Sequence, residues 1–125
     1  MGKGIVWRSV GVAGAAVLLL SACRPQLDGA WKVTAVCPPQ SHFGAITINA
    51  QADVVEREKG LFVGTITNSL GERGQFVGRL DGDTMTAGTE WEGQLPTQSL
   101  LVLDRRTGSF KGMDSNGCSL DVVRP

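Results

Sequence analysis

Polar and apolar residues alternate in short runs along most of the chain, and turn-forming residues separate the runs. In residues 30–37, for example, Trp31, Val33, Ala35 and Cys37 share one face. A period of two residues is typical of a β-strand that has one buried and one solvated face. The pattern predicts eight strands, over residues 30–37, 43–50, 61–67, 75–80, 84–88, 99–103, 109–113 and 119–123.

Short polar segments connect the predicted strands. Asp81-Gly82 and Asn116-Gly117 are typical of tight hairpin turns, in which glycine supplies the positive φ that the turn requires. Residues 52–59 leave two interpretations open, because their pattern is too short to distinguish two helical turns from a charged continuation of the preceding strand.

Turn signals recur about every ten residues, a spacing that is typical of an all-β sandwich or an up-and-down barrel. Three Phe-x-Gly units lie within the predicted strands, at residues 62–64, 76–78 and 110–112. Glycine within a strand lets the sheet bend, and a nearby aromatic ring can cover the bare backbone. We interpret these units as points of curvature in a small barrel rather than as a ligand motif.

The first 22 residues follow a different pattern. Residues 1–8 contain Lys3 and Arg8 and no acidic residue. Residues 9–20 form an uninterrupted run of small or apolar side chains. This order is typical of a cleaved export signal. The run is also shorter than the roughly 20 residues that a membrane-spanning helix needs. Residues 1–22 are therefore predicted to be a signal peptide.

The four residues that close this leader are Leu20-Ser21-Ala22-Cys23. They resemble the lipobox of bacterial lipoproteins. The resemblance implies a diacylglycerol on the Cys23 thiol, cleavage before Cys23 and acylation of the new amino group, for example with palmitate. Several acyl chains make a stable membrane anchor where a single chain would not.

The lipoprotein resemblance also implies a division of the chain and a location. A signal peptide over residues 1–22 precedes a lipidated tether over residues 23–29 and a β-barrel domain over residues 30–125. The protein is expected to be anchored in the bacterial cell envelope. Arg24, where aspartate would favour the inner membrane, points to the outer membrane facing the periplasm if the source is Gram-negative.

With Cys23 assigned to the lipid, Cys37 and Cys118 remain, and export places them where disulfide bonds persist. We predict that they form one disulfide bond, which requires Cα atoms about 5.5 Å apart. Cys37 ends the first predicted strand and Cys118 precedes the last. In a meander these strands become neighbours only if the sheet closes. We therefore favour a small antiparallel up-and-down β-barrel of about eight strands, with an open β-sandwich as the alternative.

Gly29-Ala30-Trp31 opens the first predicted strand. It is similar to the Gly-x-Trp opening of calycin-like small barrels, which include lipocalins, avidins and periplasmic metalloprotease inhibitors. In physical terms, Gly29 frees the backbone at one end of the barrel and the Trp31 ring plugs that end. Trp91 begins a predicted loop over residues 91–97. Both tryptophans are interpreted as core or plug residues, with contact to a ligand as the alternative.

The side chains form no recognisable catalytic or metal-binding motif. His42 is the sole imidazole and the chain has no Cys-x-x-Cys, so neither a nucleophile–base pair nor a Cys/His metal site is predicted. The acid pairs Asp81/Asp83 and Glu90/Glu92 are interpreted as solvated turn flanks rather than calcium or acid–base sites. We predict that the protein is not an enzyme and uses no cofactor or metal.

The charged residues also bear on the partner. After the leader, ten basic and twelve acidic side chains remain, without a clustered basic face. Binding of nucleic acid requires such a face and is not predicted.

The sequence thus predicts a lipid-anchored envelope protein with a non-catalytic binding domain, which contacts a protein partner or a small apolar ligand. The alternative is an inhibitor of a periplasmic or extracellular hydrolase, such as a protease or a lysozyme. A ligand carrier requires a cavity of about 300 Å³ or more. An inhibitor requires a protruding loop or a free segment.

Overall fold

The computed structural model describes residues 26–125, which fold into eight β-strands. These strands are β1 Gly29–Cys37, β2 Ile46–Glu58, β3 Leu61–Asn68, β4 Arg73–Asp81, β5 Thr84–Trp91, β6 Thr97–Asp104, β7 Ser109–Asp114 and β8 Ser119–Val123. Each predicted strand has its counterpart here. No helix in the described range is long and apolar enough to cross a membrane. The predicted signal peptide and Cys23 lie outside the described residues.

Strand β2 is longer than the sequence pattern predicts. It runs for 13 residues and contains most of residues 52–59, so the helical alternative for this stretch is wrong. Ala52 is buried and Asp53 is exposed, which continues the two-residue period of the strand. Residues 52–59 have no apolar stripe with helical spacing. Their pairing with β3, and with β1 as far as Val54, makes them part of the strand.

The sheet closes on itself. Each strand pairs antiparallel with the next, and β1 also pairs with β8, so the eight strands form a closed barrel in chain order. The closing register runs from Lys32 opposite Val123 to Val36 opposite Ser119. Closure pairs the two strands that would otherwise be edges. The predicted eight-stranded antiparallel barrel is confirmed, and the open sandwich is wrong.

The meander places successive connections at opposite ends of the barrel. The β2–β3, β4–β5 and β6–β7 turns lie at one end, together with the first described residues and the C-terminus. We call this the closed end. The other connections, residues 38–45, 69–72, 92–96 and 115–118, lie at what we call the open end. The two ends differ in the size of the side chains that point inward.

Large side chains fill the closed end. Its core contains Trp31, Phe62, Phe110 and Leu103, each at most 4% exposed. The rings of Trp31 and Phe110 meet edge to face with centroids 5.8 Å apart, a favoured arrangement of aromatic pairs. Leu27, which precedes β1, is buried in the same cluster. The protein's own side chains therefore fill most of this end of the barrel.

Trp31 is held in place from outside the barrel as well. Its indole Nε1 donates a hydrogen bond of 2.7 Å to the Leu27 carbonyl oxygen. The Arg124 guanidinium lies 4.1 Å from the centroid of the indole ring, within the range of a cation–π contact. Arg124 also donates hydrogen bonds to the carbonyl oxygens of Ala30 and Gln26. The first and last described residues are thus tied together over the closed end.

The Phe-x-Gly units of β3 and β4 lie crosswise. Phe62 is paired with Gly78, and Gly64 with Phe76, so each phenylalanine lies opposite the glycine of the other strand. A Cβ atom on Gly64 would lie 2.6 Å from a ring carbon of Phe76 and would overlap the carbonyl oxygen of Asp53. Only glycine allows this close approach, which is consistent with a bend of the sheet.

Cys37 and Cys118 form a disulfide bond, as the cysteine pattern predicts, with their Cα atoms 4.2 Å apart. The bond lies at the open end, in a small second core with Ile48. It joins the end of β1 to the β7–β8 connection. A hydrogen bond of 2.9 Å from the His42 backbone N–H to the Asn116 carbonyl oxygen joins the same two connections. The rim of the open end is therefore fixed on this side.

Candidate ligand-binding cavity

A cavity of about 870 Å³ occupies the open end of the barrel. Small side chains line its wall, among them Ala35, Ala50, Thr89 and Ser99, which come from four different strands. An eight-stranded barrel is just wide enough to be filled by side chains or to hold one small ligand. At the closed end, Trp31 and the phenylalanines fill the interior. At the open end, the inward residues are small and leave the interior empty.

A second, narrower space of about 130 Å³ lies deeper in the barrel. Its wall is apolar and includes Phe62, Phe76 and Met85. Val33 and Leu120 line both spaces, so the deeper one adjoins the floor of the wide cavity. The interior thus changes from a wide upper part with polar groups to a narrow lower part without charged side chains.

The two tryptophans named as candidates lie at different levels. Trp31 belongs to the packed core and borders the deep space, whereas Trp91 ends β5 and lines the wide cavity. The Trp91 indole Nε1 donates a hydrogen bond of 3.1 Å to the Thr97 hydroxyl. Trp91 stays partly exposed while this bond fixes its ring. Its position is that of a residue that could contact a ligand.

Carboxylates stand at the mouth of the cavity. Glu72 and Asp114 line it, and its lining includes no lysine or arginine among residues 26–125. Glu72 Oε1 accepts a hydrogen bond of 2.7 Å from Asn68 Nδ2. Asp114 Oδ1 accepts hydrogen bonds from the backbone N–H groups of Asn116 and Cys118, each at 3.0 Å. These bonds hold both carboxylates in place without neutralising their charge.

Thr89 is one of two buried threonines in this wall, and Thr97 is the other. Thr89 is 8% exposed and lines both the wide cavity and the deep space. Its hydroxyl has no hydrogen-bond partner within residues 26–125, in contrast to Thr97, which accepts the bond from Trp91. The hydroxyl is accessible to solvent, since no buried side-chain polar atom of the described residues lacks a partner.

Apolar side chains are exposed around the same mouth. Phe43, in the β1–β2 connection, is 37% exposed, and Leu95, in the β5–β6 connection, is 83% exposed. Both border the cavity. The His42 ring meets the Phe43 ring edge to face, with centroids 5.2 Å apart.

The residues considered for catalysis do not come together. His42 is exposed at the open end, whereas Asp83 accepts a 2.7 Å ion-pair bond from Arg105 at the closed end. Glu90 and Glu92 are exposed. The described chain holds no group of three or more His, Cys, Asp or Glu side chains that could ligate a metal ion.

Trp91 was a candidate from the sequence alone, whereas Thr89, Glu72 and the small residues of the wall were not. A signal was present: Ala35, Ala50 and Ser99 occupy inward positions of predicted strands, where larger residues would fill a solid barrel. The sequence of a single strand does not show that these residues lie at the same height in the barrel. Their heights depend on the pairing register of all eight strands.

The comparisons with known proteins concern the fold. No protein-family model matches the chain, and no curated protein matches it. The structure is similar to that of a redesigned β-barrel, mFAP1, bound to DFHBI, with a TM-score of 0.57 and 21% identity over 79% of this chain and 94% of that one. It is also similar to a second redesigned β-barrel, with a TM-score of 0.55 and 24% identity over 77% of this chain and 87% of that one.

Proposed function

We propose that this protein binds a small, largely apolar ligand in its barrel and is held in the bacterial envelope by a lipid on Cys23. The observation that carries the first part is the cavity of about 870 Å³. This volume lies in the upper part of the range typical of ligand pockets, and the wall combines apolar side chains with a few polar ones. The similar barrel bound to DFHBI supports a binding role for this architecture.

The first described residues lie at the closed end of the barrel, and the cavity lies at the open end. Gln26 is tied to Arg124 at the closed end by a hydrogen bond of 2.6 Å. Two residues lie between Cys23 and Gln26, and the three Cα–Cα steps from one to the other span at most about 11 Å. A lipid on Cys23 would therefore hold the closed end next to the membrane. The cavity would open away from the membrane.

Filling the cavity is expected to weaken binding. Ala50→Phe places a ring in the wide cavity, so we expect the affinity for N-phenyl-1-naphthylamine, a neutral apolar probe, to fall at least about tenfold through lost volume. Energy transfer from tryptophan to the probe measures this in phosphatidylcholine nanodiscs. Gln51→Phe adds the same ring one residue further on, at an exposed position, and should change nothing. Equal affinities of the two variants would contradict the cavity as the binding site.

The anchor is tested by Cys23→Ala. We expect this variant to incorporate no labelled palmitate and to lose globomycin-sensitive processing, because the thiol that accepts the diacylglycerol is gone. Ser21→Ala keeps a small residue within the lipobox and should be processed like the parent chain. Palmitate incorporation by Cys23→Ala would show that the lipid is attached elsewhere.

A second candidate function, binding of a protein partner such as an envelope hydrolase, is favoured by the apolar rim. Leu95 is 83% exposed in the β5–β6 connection, and Phe43 lies beside the same mouth. Exposed apolar side chains grouped on one surface are typical of contact sites. A partner at this rim would cover the cavity, so protein binding and ligand binding would compete.

A further inference from the structure

The charge at the cavity mouth is of one sign. Glu72 lies where β3 connects to β4, and Asp114 ends β7, so the two carboxylates reach the mouth from different hairpins. Neither forms an ion pair with a lysine or arginine of residues 26–125. The remaining titratable residue of the lining is His42, which is exposed at the rim. At neutral pH the mouth therefore carries net negative charge.

An enclosed polar group lies below this charged mouth. The Thr89 side chain is more than nine-tenths buried, and its hydroxyl has no partner within the described chain. It borders both spaces, at the level where the polar upper part gives way to the apolar lower part. No buried side-chain polar atom of residues 26–125 lacks a partner, so this hydroxyl is accessible to solvent, and a ligand at this level can hydrogen-bond to it in place of water.

An aromatic ring completes the arrangement. The bond from Trp91 Nε1 to the Thr97 hydroxyl fixes the indole in the wall, and the side chain remains partly exposed. Tryptophan is the aromatic residue that attracts cations most strongly through its ring face. A fixed indole and two carboxylates that share one cavity are suited to an ammonium group.

We propose that the ligand is a cationic amphiphile, with an ammonium-type head at the mouth and an apolar chain that points toward the closed end. This inference rests on the proposed function, since it assigns the ligand class of the same cavity. The head is attracted by Glu72, Asp114 and the Trp91 ring. The chain lies against the apolar lower wall. A carboxylate head, such as that of a fatty acid, would be repelled at the mouth.

The expected preference follows from the charges. A unit charge a few ångströms from a carboxylate interacts with it several times more strongly near a protein surface than in bulk water. We therefore expect octyltrimethylammonium to bind at least about tenfold more tightly than octanoate, with 1-octanol between them. The three probes share the eight-carbon chain and differ in the charge of the head.

Titration calorimetry on the full chain in phosphatidylcholine nanodiscs at neutral pH measures the three affinities. The Ala50→Phe chain in the same nanodiscs gives the heat of partitioning into lipid. Glu72→Gln keeps the acceptor oxygen for Asn68 but removes the charge, and should lower the ratio of ammonium to carboxylate affinity about threefold or more. Glu90→Gln makes the same change at an exposed position and should leave the ratio unchanged.

The outcomes separate this inference from the proposed function. Equal affinities for the three probes, or tighter binding of octanoate, would overturn the cationic head group and leave cavity binding intact. An unchanged ratio in Glu72→Gln would overturn the role of the mouth carboxylates. Heats that match those of Ala50→Phe for all three probes would overturn both the ligand class and the cavity function.

Discussion

Replacement of Cys37 and Cys118 by serine is expected to lower the free energy of unfolding by about 4 kcal/mol. The bond spans a sequence separation of 81 residues, and a cross-link over such a loop removes much of the conformational freedom of the unfolded chain. This loss is comparable with a large part of the 5–15 kcal/mol that stabilises a typical domain. Urea unfolding followed by far-UV circular dichroism measures it.

Reduction supplies the control for this prediction. The parent chain in excess reductant should unfold at nearly the same urea concentration as the double variant, and the double variant should not respond to reductant. A typical single substitution changes the free energy of unfolding by about 1 kcal/mol. If the free energies of the variant and the oxidised parent differ by less than this, the disulfide bond is not a main source of stability.

Trp31→Ala is expected to lower the free energy of unfolding by about 3–5 kcal/mol, the range for loss of a buried large aromatic side chain. Trp31 is 4% exposed and packs against Phe110. The substitution also removes the donor to the Leu27 carbonyl oxygen and the ring under Arg124. Far-UV circular dichroism during urea unfolding is again suitable, since it does not depend on tryptophan emission.

Trp91→Ala is the matched control, because it removes the same side chain at the other end of the barrel. Trp91 is partly exposed and borders the wide cavity, so its removal breaks fewer contacts. We expect the free energy of unfolding to fall by less than half as much as in Trp31→Ala. Equal losses in the two variants would contradict the division into a packed closed end and an open end with a cavity.

The strands of this barrel could be predicted from local patterns with good accuracy. The alternation in β1 identifies Trp31, Val33, Ala35 and Cys37 as one face, and the structure keeps that face inside the barrel. The exception is β2, whose second half has no decisive pattern of its own. It is a strand because its backbone groups pair with β3 as far as Glu58 and with β1 as far as Val54.

The candidate site could be predicted only in part. Trp91 was identifiable as a large side chain next to a loop. Thr89 and Glu72 resemble ordinary strand and turn residues in sequence. Their roles depend on facing the same space as Ala50 and Asp114, which lie on other strands. No local pattern carries that information.

The sequence by itself determined the all-β class, the turns and the two cysteines that form the bond. The class depends on the two-residue period, the turns on the conformation of glycine, and the cysteine pair on the number of cysteines. The tertiary structure decided the closing register and the cavity. Whether an inward residue packs or leaves a space depends on the side chains at its level on seven other strands. Small residues at one end and large ones at the other thus make a barrel with a packed floor and an acidic, open mouth.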